Sequence, residues 1–517
     1  MLFPINHRYI QPCFSKVFLP MKVLHMDRIR FVLLLSLLLW VHTVQAQQLT
    51  LSEAIAAART GSVQALEARR QFVSTYWAWR AYQASRLPSL SLYGNLGNFN
   101  RSLTLLQNPD DGTMKYVASN NMQNGIGLQA RQNIPFTGGT LYVYTDLNRI
   151  DQFGAARSIT WYSQPVTISY QQPLFAYNQF KWDKRIQPKE YERGRRVYVE
   201  AMEQIALDAV EAWFAVLTAR ENELSAHANY ENTAKMYHVA GERMKLGTVT
   251  RDEYLQLELR MLNDSLSIGE NAIKVREAQM ALNSLLGYDD AAKVIPILEE
   301  DLPVLRVDYE TVLEKTLENS RFGLDNEISL LNARSNVEKA RAERGITMSF
   351  NARFGLSKSG ISLPEAYRNP LDQEVVGLSF SVPIFDWGQG RGRIEKAKAA
   401  EEVVKAQVQQ SENDHRRKIF SAVGQFNSQR GQCLVSRRAL TIAQERYDLV
   451  MDKFRAGNAS VLELNTARSE NDNARKQYLN DLAVFWTSYY TLRKETLFDF
   501  LSGEDIAIDE NEMILGK

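Results

Sequence analysis

The stretch Ile168-Ser-Tyr-Gln-Gln-Pro173-Leu-Phe175 decides the fold, because the chain repeats it as Leu378-Ser-Phe-Ser-Val-Pro383-Ile-Phe385. The two copies are 210 positions apart (383 − 173). In both copies, apolar and polar residues alternate up to the proline, which is typical of a strand with one apolar face. Proline has no N–H, so it can end a strand without leaving a donor unpaired. We therefore expect two equivalent strand ends, at Pro173, Phe175, Pro383 and Phe385.

A second pair of motifs has the same spacing. Arg243-Met-Lys-Leu-Gly247-Thr-Val-Thr250-Arg-Asp-Glu253 resembles Lys453-Phe-Arg-Ala-Gly457-Asn-Ala-Ser460-Val-Leu-Glu463, again 210 positions on (457 − 247). Glycine can end a helix with φ > 0, Thr or Ser is a natural N-cap, and a Glu three residues later completes a capping box. Each motif is predicted to be the turn of a helical hairpin. Capping alone already accounts for these residue types.

The two halves also begin alike. Leu51-Ser-Glu53-Ala-Ile resembles Asp308-Tyr-Glu310-Thr-Val, 257 positions on (308 − 51), so the first half carries about 47 extra residues (257 − 210). These form an inserted hairpin at about 105–158, turning at Phe136-Thr-Gly-Gly-Thr140. In a membrane barrel this hairpin would lie on the extracellular side, and we expect it to be a cap rather than added barrel strands. The predicted divisions are a first repeat at 47–287 with its helical hairpin at 187–287, an equatorial segment at 288–306, a second repeat at 307–500 and a tail at 501–517.

The prolines separate the two kinds of structure. No proline lies between Pro188 and Pro296 or after Pro383. These stretches have the period of helices packed side by side, as in Leu255, Leu259 and Leu262. They predict long helices at Tyr191–Leu246 and Arg393–Ala456, about 84 and 96 Å at 1.5 Å per residue.

The proline-bearing stretches alternate with period two and predict six strands. Their apolar positions lie within 90–96, 126–134, 141–147, 166–170, 348–356 and 376–382. Alternation alone would also fit a soluble sheet. Two of these six strands belong to the inserted hairpin, which leaves two core strands in each half. The four core strands of one chain are too few for a membrane barrel, which starts at 8 strands. Three chains would supply 12 strands and six helical hairpins.

The N-terminus predicts a signal peptide over residues 1–46. Arg28 and Arg30 precede the apolar run Phe31–Val41, which is too short to span a membrane, and Val44-Gln45-Ala46 offers a cleavage site. Met21 and Met26 are alternative start positions. Cleavage removes Cys13, so the remaining Cys433 cannot form an intrachain disulfide.

The sequence gives no sign of catalysis. Lys+Arg is 61 and Asp+Glu is 60, so the net charge of +1 gives no electrostatic case for nucleic acid. Nucleotide-binding and hydrolase motifs are absent, and His227 and His238 are too far apart on a helix for a metal pair. We predict no enzyme activity, no cofactor and no metal site. The carboxylates of the helices are interpreted as lying on solvated faces, where such groups are usually surface residues.

Together these features resemble the TolC family of outer-membrane efflux proteins, the outer membrane factors of tripartite pumps, over essentially the whole mature length. Two more features carry the resemblance: Ala281-Leu-Asn-Ser-Leu-Leu-Gly287 closes the first repeat, and Leu51-Ser-Glu53-Ala follows the leader. The resemblance implies an α+β membrane protein, internally duplicated, with a shared trimeric β-barrel of about four strands per chain plus the extra hairpin. A long antiparallel α-helical barrel continues it.

The resemblance also implies the function and the setting. The protein would be a passive homotrimeric duct in the outer membrane of a Gram-negative-type cell, in contact with lipid and with a large periplasmic part. A periplasmic adaptor (membrane fusion) protein and an inner-membrane transporter would work with it to expel small molecules such as drugs, metals and toxic compounds.

Roles for individual residues follow from the resemblance alone. The adaptor-docking tips would be at Lys245, Gly247, Thr250, Glu253, Arg455, Gly457, Ser460 and Glu463. The pore constriction would lie at Glu463 and Thr466, with three copies of Glu463 forming a carboxylate ring. Family members often carry a second acid where this chain has Thr466, and some carry a basic residue where it has Ala459. The strand ends Pro173, Phe175, Pro383 and Phe385 would form the barrel–helix junction.

Three other functions are considered. The outer-membrane conduit of a type I protein-export system would have the same fold. A structural trimeric coiled coil at the cell surface would need only heptads and would not explain duplicated amphipathic strands. An enzyme on a helical scaffold is disfavoured by the missing motifs.

Overall fold

The computed structural model describes residues 47–107, 112–154, 157–298 and 301–506. The predicted signal peptide and residues 507–517 of the predicted tail lie outside the described residues. Within the described residues the helices are α1 (Leu51–Gly61), α2 (Val63–Ser85), α3 (Gln179–Lys245), α4 (Arg251–Leu286), α5 (Tyr309–Asn319), α6 (Phe322–Arg344), α7 (Leu363–Tyr367), α8 (Gln389–Ala456) and α9 (Val461–Thr496). The strands are β1 (Gln47–Leu49), β2 (Ser89–Gln107), β3 (Met114–Ile134), β4 (Gly139–Gln152), β5 (Ser158–Leu174), β6 (Val294–Pro296), β7 (Thr347–Gly360), β8 (Leu371–Ser381), β9 (Phe498–Asp499) and β10 (Glu504–Asp505).

The two long helical hairpins confirm the predicted duplication. The long helices α3 and α8 begin 210 positions apart (389 − 179), and the return helices α4 and α9 also begin 210 positions apart (461 − 251). The long helices have 67 and 68 residues, and each return helix has 36. At 1.5 Å per residue the long helices span about 100 Å each. Among the helices that the structure describes, none combines the length and the apolarity that a membrane crossing needs.

The predicted alignment of the two halves at their starts was wrong by one residue. Thr50 and Asp308 are the N-caps of α1 and α5, and they are 258 positions apart (308 − 50). Glu53 is the third residue of its helix and accepts a hydrogen bond from the Thr50 N–H, at 2.9 Å. Glu310 is the second residue of its helix and donates its own N–H to Asp308, at 3.0 Å. The sequence match therefore paired two glutamates that occupy different positions in their respective helices.

The long helix of the first half starts earlier than predicted, at Gln179 instead of Tyr191, and it contains Pro188. A proline inside a helix costs about 3 kcal/mol. Trp182 and Ile186 are buried in one cluster with Ile328 of α6, and each buried apolar side chain contributes roughly 1.5–3 kcal/mol. This packing offsets the cost of the proline, so the helix continues through it. The second long helix likewise starts at Gln389 instead of Arg393.

Six strands form one sheet in the order β2-β3-β4-β5-β7-β8, and every neighbouring pair is antiparallel. The expectation that the inserted hairpin caps the sheet was wrong. The two strands of the hairpin, β3 and β4, lie inside the sheet, and β3 pairs with β2 from Ser89↔Arg131 to Gln107↔Met114. The long β2–β3 ladder satisfies backbone groups that a cap would leave unpaired, which explains this arrangement.

The sheet has one apolar and one polar face. A single register row joins Leu90, Ala130, Val143, Ile168 and Phe354 across five strands. Among these, the leucine, valine, isoleucine and phenylalanine side chains are exposed in the protomer. The neighbouring row on the other face begins with Ser91, Gln129, Tyr144 and Thr167. The predicted strand segments and their alternation are thereby confirmed.

The main core lies where the short helices pack around the middle of the long hairpins. Trp213 of α3 is 1% exposed, and its indole N–H donates to the Leu49 carbonyl of β1 at 3.1 Å. β1 pairs in parallel with β6, so the start of the chain is joined to the segment between the repeats. This core surrounds Glu203, which is 1% exposed and lies between Arg59 and Arg493. The protomer is an α+β chain in which an amphipathic sheet continues into long antiparallel helices, as predicted.

Candidate functional site

The turn between α3 and α4 has the predicted capping geometry. Gly247 takes φ +75°, which ends α3. The Thr250 hydroxyl accepts the Glu253 N–H at 3.2 Å, and the Glu253 carboxylate accepts the Thr250 N–H at 2.9 Å. The predicted capping box is confirmed. Lys245, in the last turn of α3, forms an ion pair with Glu242 at 2.9 Å.

The turn between α8 and α9 has the same geometry. Gly457 takes φ +87°. The Ser460 hydroxyl accepts the Glu463 N–H at 3.2 Å, and the Glu463 carboxylate accepts the Ser460 N–H at 3.0 Å. This capping box is also confirmed. Arg455, in the last turn of α8, pairs with Asp452 at 3.3 Å.

The two turns contact each other through a residue that the sequence analysis did not single out. The Arg243 guanidinium donates to the carbonyls of Phe454 and Arg455, at 3.2 and 2.7 Å. These carbonyls belong to the last turn of α8, where the helix dipole favours a cation. Residues 243–253 and 453–463 therefore form one surface, here named the tip. The basic residue at the start of both motifs was the available signal.

A buried apolar cluster packs between the helix turns that adjoin the tip. Its members come from both hairpins and are Met236, Ala240, Leu257, Tyr447, Met451, Phe454, Val461, Leu464 and Ala467. Beside it, Tyr237 and Tyr254 stack with ring centroids 4.7 Å apart. Because Val461 and Leu464 face this cluster from the first turn of α9, Glu463 is left on the exposed side.

Thr466 lies one turn after Glu463, and both side chains are exposed in the protomer. The Thr466 hydroxyl donates to the Leu462 carbonyl at 2.9 Å, so it is engaged within its own helix. The Glu463 carboxylate has one oxygen in the capping box. The two residues predicted to line a constriction thus share one exposed face of α9, and their role in a pore stays a prediction.

The charges at the tip are mixed and exposed. The hydrogen bond from Lys245 lowers the pKa of Glu242, and the same bond raises the pKa of Lys245. Their side chains are 60% and 70% exposed, so this pair contributes little to stability. The tip thus carries basic residues at the start of each of its two segments and acidic residues at the end of each.

Asp264 is an exception to the interpretation of the helix carboxylates as surface residues. Its carboxylate accepts two bonds from the Arg468 guanidinium, at 2.9 and 2.7 Å, and a third from the Thr233 hydroxyl at 2.7 Å. The Asp264 and Arg468 side chains are 7% and 9% exposed. The group joins α3, α4 and α9 about one to three turns from the tip. Glu203 is a second buried acid that the sequence interpretation placed in solvent.

The predicted junction residues lie at two differently built connections. Pro173 is still within β5, opposite Ser349, and Phe175 follows at φ +60° with its ring exposed. Asn178 then caps α3 by accepting the Lys181 N–H at 3.1 Å. The first connection is therefore short and leads directly from strand into capped helix.

The second connection is organised by an aspartate. Pro383 follows β8, and the Phe385 ring meets the Trp387 ring edge-on at 4.4 Å. The Asp386 carboxylate accepts the N–H groups of Gly390 and Gly388 at 2.8 and 3.0 Å. These backbone bonds lower the pKa of Asp386. An anionic side chain thus stabilises the N-terminus of α8.

The described part of the chain has no group of three or more His, Cys, Asp or Glu side chains that could hold a metal ion. Its functional features are instead the amphipathic sheet at one end, the tip at the other and about 100 Å of paired helices between them.

Comparison with known proteins gives a family match over part of the chain and a fold for most of it. Residues 312–494 match the model of the family described as outer membrane efflux protein. A comparison with curated protein sequences found no match.

Several solved structures resemble the chain. The CmeC outer membrane channel of Campylobacter jejuni is 16% identical with a TM-score of 0.64, over 90% of this chain and 88% of that one. A membrane protein from Pseudomonas aeruginosa is 16% identical with a TM-score of 0.63, over 89% and 92%. The outer membrane protein VceC of Vibrio cholerae is 15% identical with a TM-score of 0.60, over 88% and 97%. At these identities the likeness is one of fold.

The matched residues, 312–494, include nearly all of the second repeat, and the duplicated fold extends the likeness to the first. The predicted resemblance to outer membrane efflux proteins is thereby confirmed by the family model over residues 312–494, and over most of the chain at the level of the fold.

Proposed function

We propose that this chain is one protomer of a passive trimeric duct, which works with a periplasmic adaptor and an inner-membrane pump to expel small molecules. It performs no catalysis. The observation that carries this proposal is the sheet, which has an exposed apolar face and two unpaired edges, β2 and β8.

Lipid makes the unpaired edges costly. Each backbone N–H or C=O left without a partner in the hydrocarbon region costs several kcal/mol. The edge strands have 19 and 11 residues, and six strands are too few to close a barrel. Pairing β2 of one copy with β8 of the next removes both edges. Three copies then give 18 strands instead of the 12 expected from the core strands alone.

The tip supports the second half of the proposal. Lys245, Gly247, Thr250, Glu253, Arg455, Gly457, Ser460 and Glu463 lie within the tip or in the adjoining helix turn, at the end remote from the sheet. A periplasmic adaptor docking there would meet a rigid surface, because capping boxes and the Arg243 bonds fix both turns. Glu463 and Thr466 are the proposed lining of the constriction.

Protein export by a type I system is the second candidate, since a duct of the same build would serve it. The described part of the protomer is compatible with either kind of cargo. The adaptor type distinguishes them, which makes the identity of the docked partner the decisive measurement. A structural coiled coil is disfavoured, because it has no use for an amphipathic six-stranded sheet.

The test places a photo-crosslinking residue at Asn458, in the tip, in intact cells, and identifies captured proteins by mass spectrometry. A matched control carries the same residue at Val403, which is exposed on α8 about 80 Å away. Capture of a periplasmic adaptor from Asn458 and not from Val403 is the expected result. Capture of copies of this chain alone would argue against a pump partner, and a monomer in mild detergent would exclude the shared barrel.

A further inference from the structure

Two arginines lie in one register row on the polar face of the sheet. The row crosses all six strands as Ser89, Arg131, Tyr142, Ser169, Arg353 and Val375. Arg131 is in β3 and Arg353 is in β7, so three strand spacings separate them. At about 4.8 Å per spacing, the two positions are about 14 Å apart.

The opposite face shows which way these side chains point in a closed barrel. The adjacent positions Ala130 and Phe354 belong to the apolar row that includes Val143 and Ile168. In a membrane barrel the apolar face contacts lipid and the polar face lines the lumen. This step rests on the proposed trimeric duct. Both arginines then belong to the inner wall.

Neither guanidinium is neutralised. Both residues are exposed, and neither forms an ion pair with a described residue. Among the described strand residues, Asp146 is the only acid on the polar face, four positions from Tyr142 along β4, or about 13 Å. It also accepts a hydrogen bond from the Tyr93 hydroxyl. Arg131 lies 6.0 Å from the centre of the Tyr142 ring, a contact that leaves its donors available.

Closure of the barrel spaces the arginines evenly. From Arg353 in β7, the path to Arg131 of the next copy crosses β8, β2 and β3, which is again three spacings. Three copies therefore present six guanidiniums, one on every third strand. Half of them come from the inserted hairpin, which supplies Arg131.

We propose that Arg131 and Arg353 form an anion-binding band on the inner wall of the barrel, which favours solutes carrying carboxylate or phosphate groups. Guanidinium stays charged at any working pH, and its planar fork matches such groups with two parallel hydrogen bonds. Rings of Arg or Lys are the arrangement that selects anions in pores.

The distance over which the band attracts anions depends on the salt concentration. An 18-stranded barrel with tilted strands has a backbone radius of about 18 Å. The screening length is about 10 Å at 0.1 M salt and about 30 Å at 0.01 M. At physiological salt the band therefore acts on solutes near the wall, and at low salt it acts across the lumen.

The experiment uses purified trimers of the full chain in planar bilayers, with tripolyphosphate as the anionic probe on the sheet side. Its readouts are the block of the current and the chloride-to-potassium permeability ratio, at 0.01–0.1 M and at 1 M KCl. The variants are R131Q/R353Q and the charge-reversed R131E/R353E. The control is K358Q. It removes a cation from β7 at a position that alternation along the strand assigns to the apolar face of the sheet. All variants are also compared in an E463Q background. Ions that cross the duct pass Glu463 at the tip as well as the barrel, so its charge would also affect the permeability ratio.

At low salt, R131Q/R353Q is expected to lose the tripolyphosphate block and to lower the permeability ratio at least about twofold, with little change at 1 M. R131E/R353E should lower the ratio further, and K358Q should behave as the wild type. Equal block in the wild type and in R131Q/R353Q would overturn the band, as would an equal loss in K358Q. A wild-type chain that forms neither trimer nor channel would instead overturn the proposed duct, and the band with it.

Discussion

Gly247 and Gly457 have the same left-handed backbone, but their surroundings differ. A Cβ added at Gly247 would meet nothing within 4 Å, whereas one added at Gly457 would lie 3.3 Å from the Arg243 guanidinium. The second glycine therefore serves both the turn and the contact between the turns. The sequence motif shows the shared function of the two glycines, and only the packing shows how they differ.

Gly457→Ala is expected to destabilise the tip by about 1–2 kcal/mol, because a Cβ disfavours the left-handed region, and to loosen the Arg243 bonds as well. Gly247→Ala should carry the backbone cost alone. The control is Gly269→Ala within α4, where nothing lies within 4 Å and helix propensity should improve. Hydrogen exchange of the tip amides measures all three. Unchanged hydrogen exchange of the tip amides in Gly457→Ala would contradict the backbone strain expected from a Cβ at this position.

Glu463 has two separable roles, the capping of α9 and the proposed charge at the constriction. Glu463→Gln removes the charge but keeps an oxygen for the capping box, while Glu463→Ala removes both. Both variants should lose cation preference in single-channel recordings, because a carboxylate ring attracts cations. Only Glu463→Ala should increase the hydrogen exchange of the backbone amides at the start of α9. Retained cation preference in Glu463→Gln would place the constriction elsewhere.

At the scale of elements, the Arg468–Asp264–Thr233 group joins three of the long helices through one buried carboxylate. Nothing in the periodicity distinguishes Asp264 from the exposed acids of the same helices. Its burial follows from how the second hairpin packs on the first, because Arg468 comes from α9 and Asp264 from α4.

Arg468→Met should destabilise the helical hairpins by about 3–5 kcal/mol, because it leaves Asp264 buried without a partner. Arg468→Met combined with Asp264→Leu should recover most of that stability, since replacing a whole buried pair by apolar residues is often close to neutral. Lys245→Met, which breaks an exposed pair, serves as the control and should change little. Denaturant unfolding followed by helical circular dichroism gives the comparison. Equal stability of the single and double variants would count against the coupling.

At the scale of the whole molecule, the inserted hairpin sets the width of the barrel. Because β3 and β4 pair with β2 and β5, each copy contributes six strands to the proposed closed sheet. Barrel diameter grows roughly linearly with strand number, so 18 strands give about one and a half times the width of 12. The outer end of the duct would then be wide, and the tip would be the narrow part.

Edge pairing between copies predicts a specific pattern of cross-links. Cys substituted at Ser91 in β2 and at Val375, Gly377 or Ser379 in β8 should give disulfide-linked dimers and trimers on denaturing gels for at least one pair. Gly377 has open space for the new side chain, and the native Cys433 is buried. Cys at Ser91 paired with Cys at Ser169 in β5 is the control, since those strands never adjoin. Monomers from all three test pairs would exclude this closure.

Much of this protein follows from short-range patterns in the sequence. The alternation before Pro173 and Pro383 predicted strands, and the Gly-x-x-Thr/Ser-x-x-Glu motifs predicted both turns with their capping boxes. The long helices followed from the absence of proline and from their apolar period. These features are determined by neighbours a few residues apart along the chain, so the sequence contains the information that specifies them.

The tertiary structure alone decided the features that depend on distant partners. Pro188 lies inside α3 because Trp182 and Ile186 pack on α6, and Arg243 bonds to a turn 211 positions away at Phe454. The hairpin lies within the sheet because a long ladder with β2 satisfies its backbone groups. Asp264 is buried because Arg468 comes from the other repeat. Local periodicity does not encode which distant segments pair, and the free energy of that pairing determined all four.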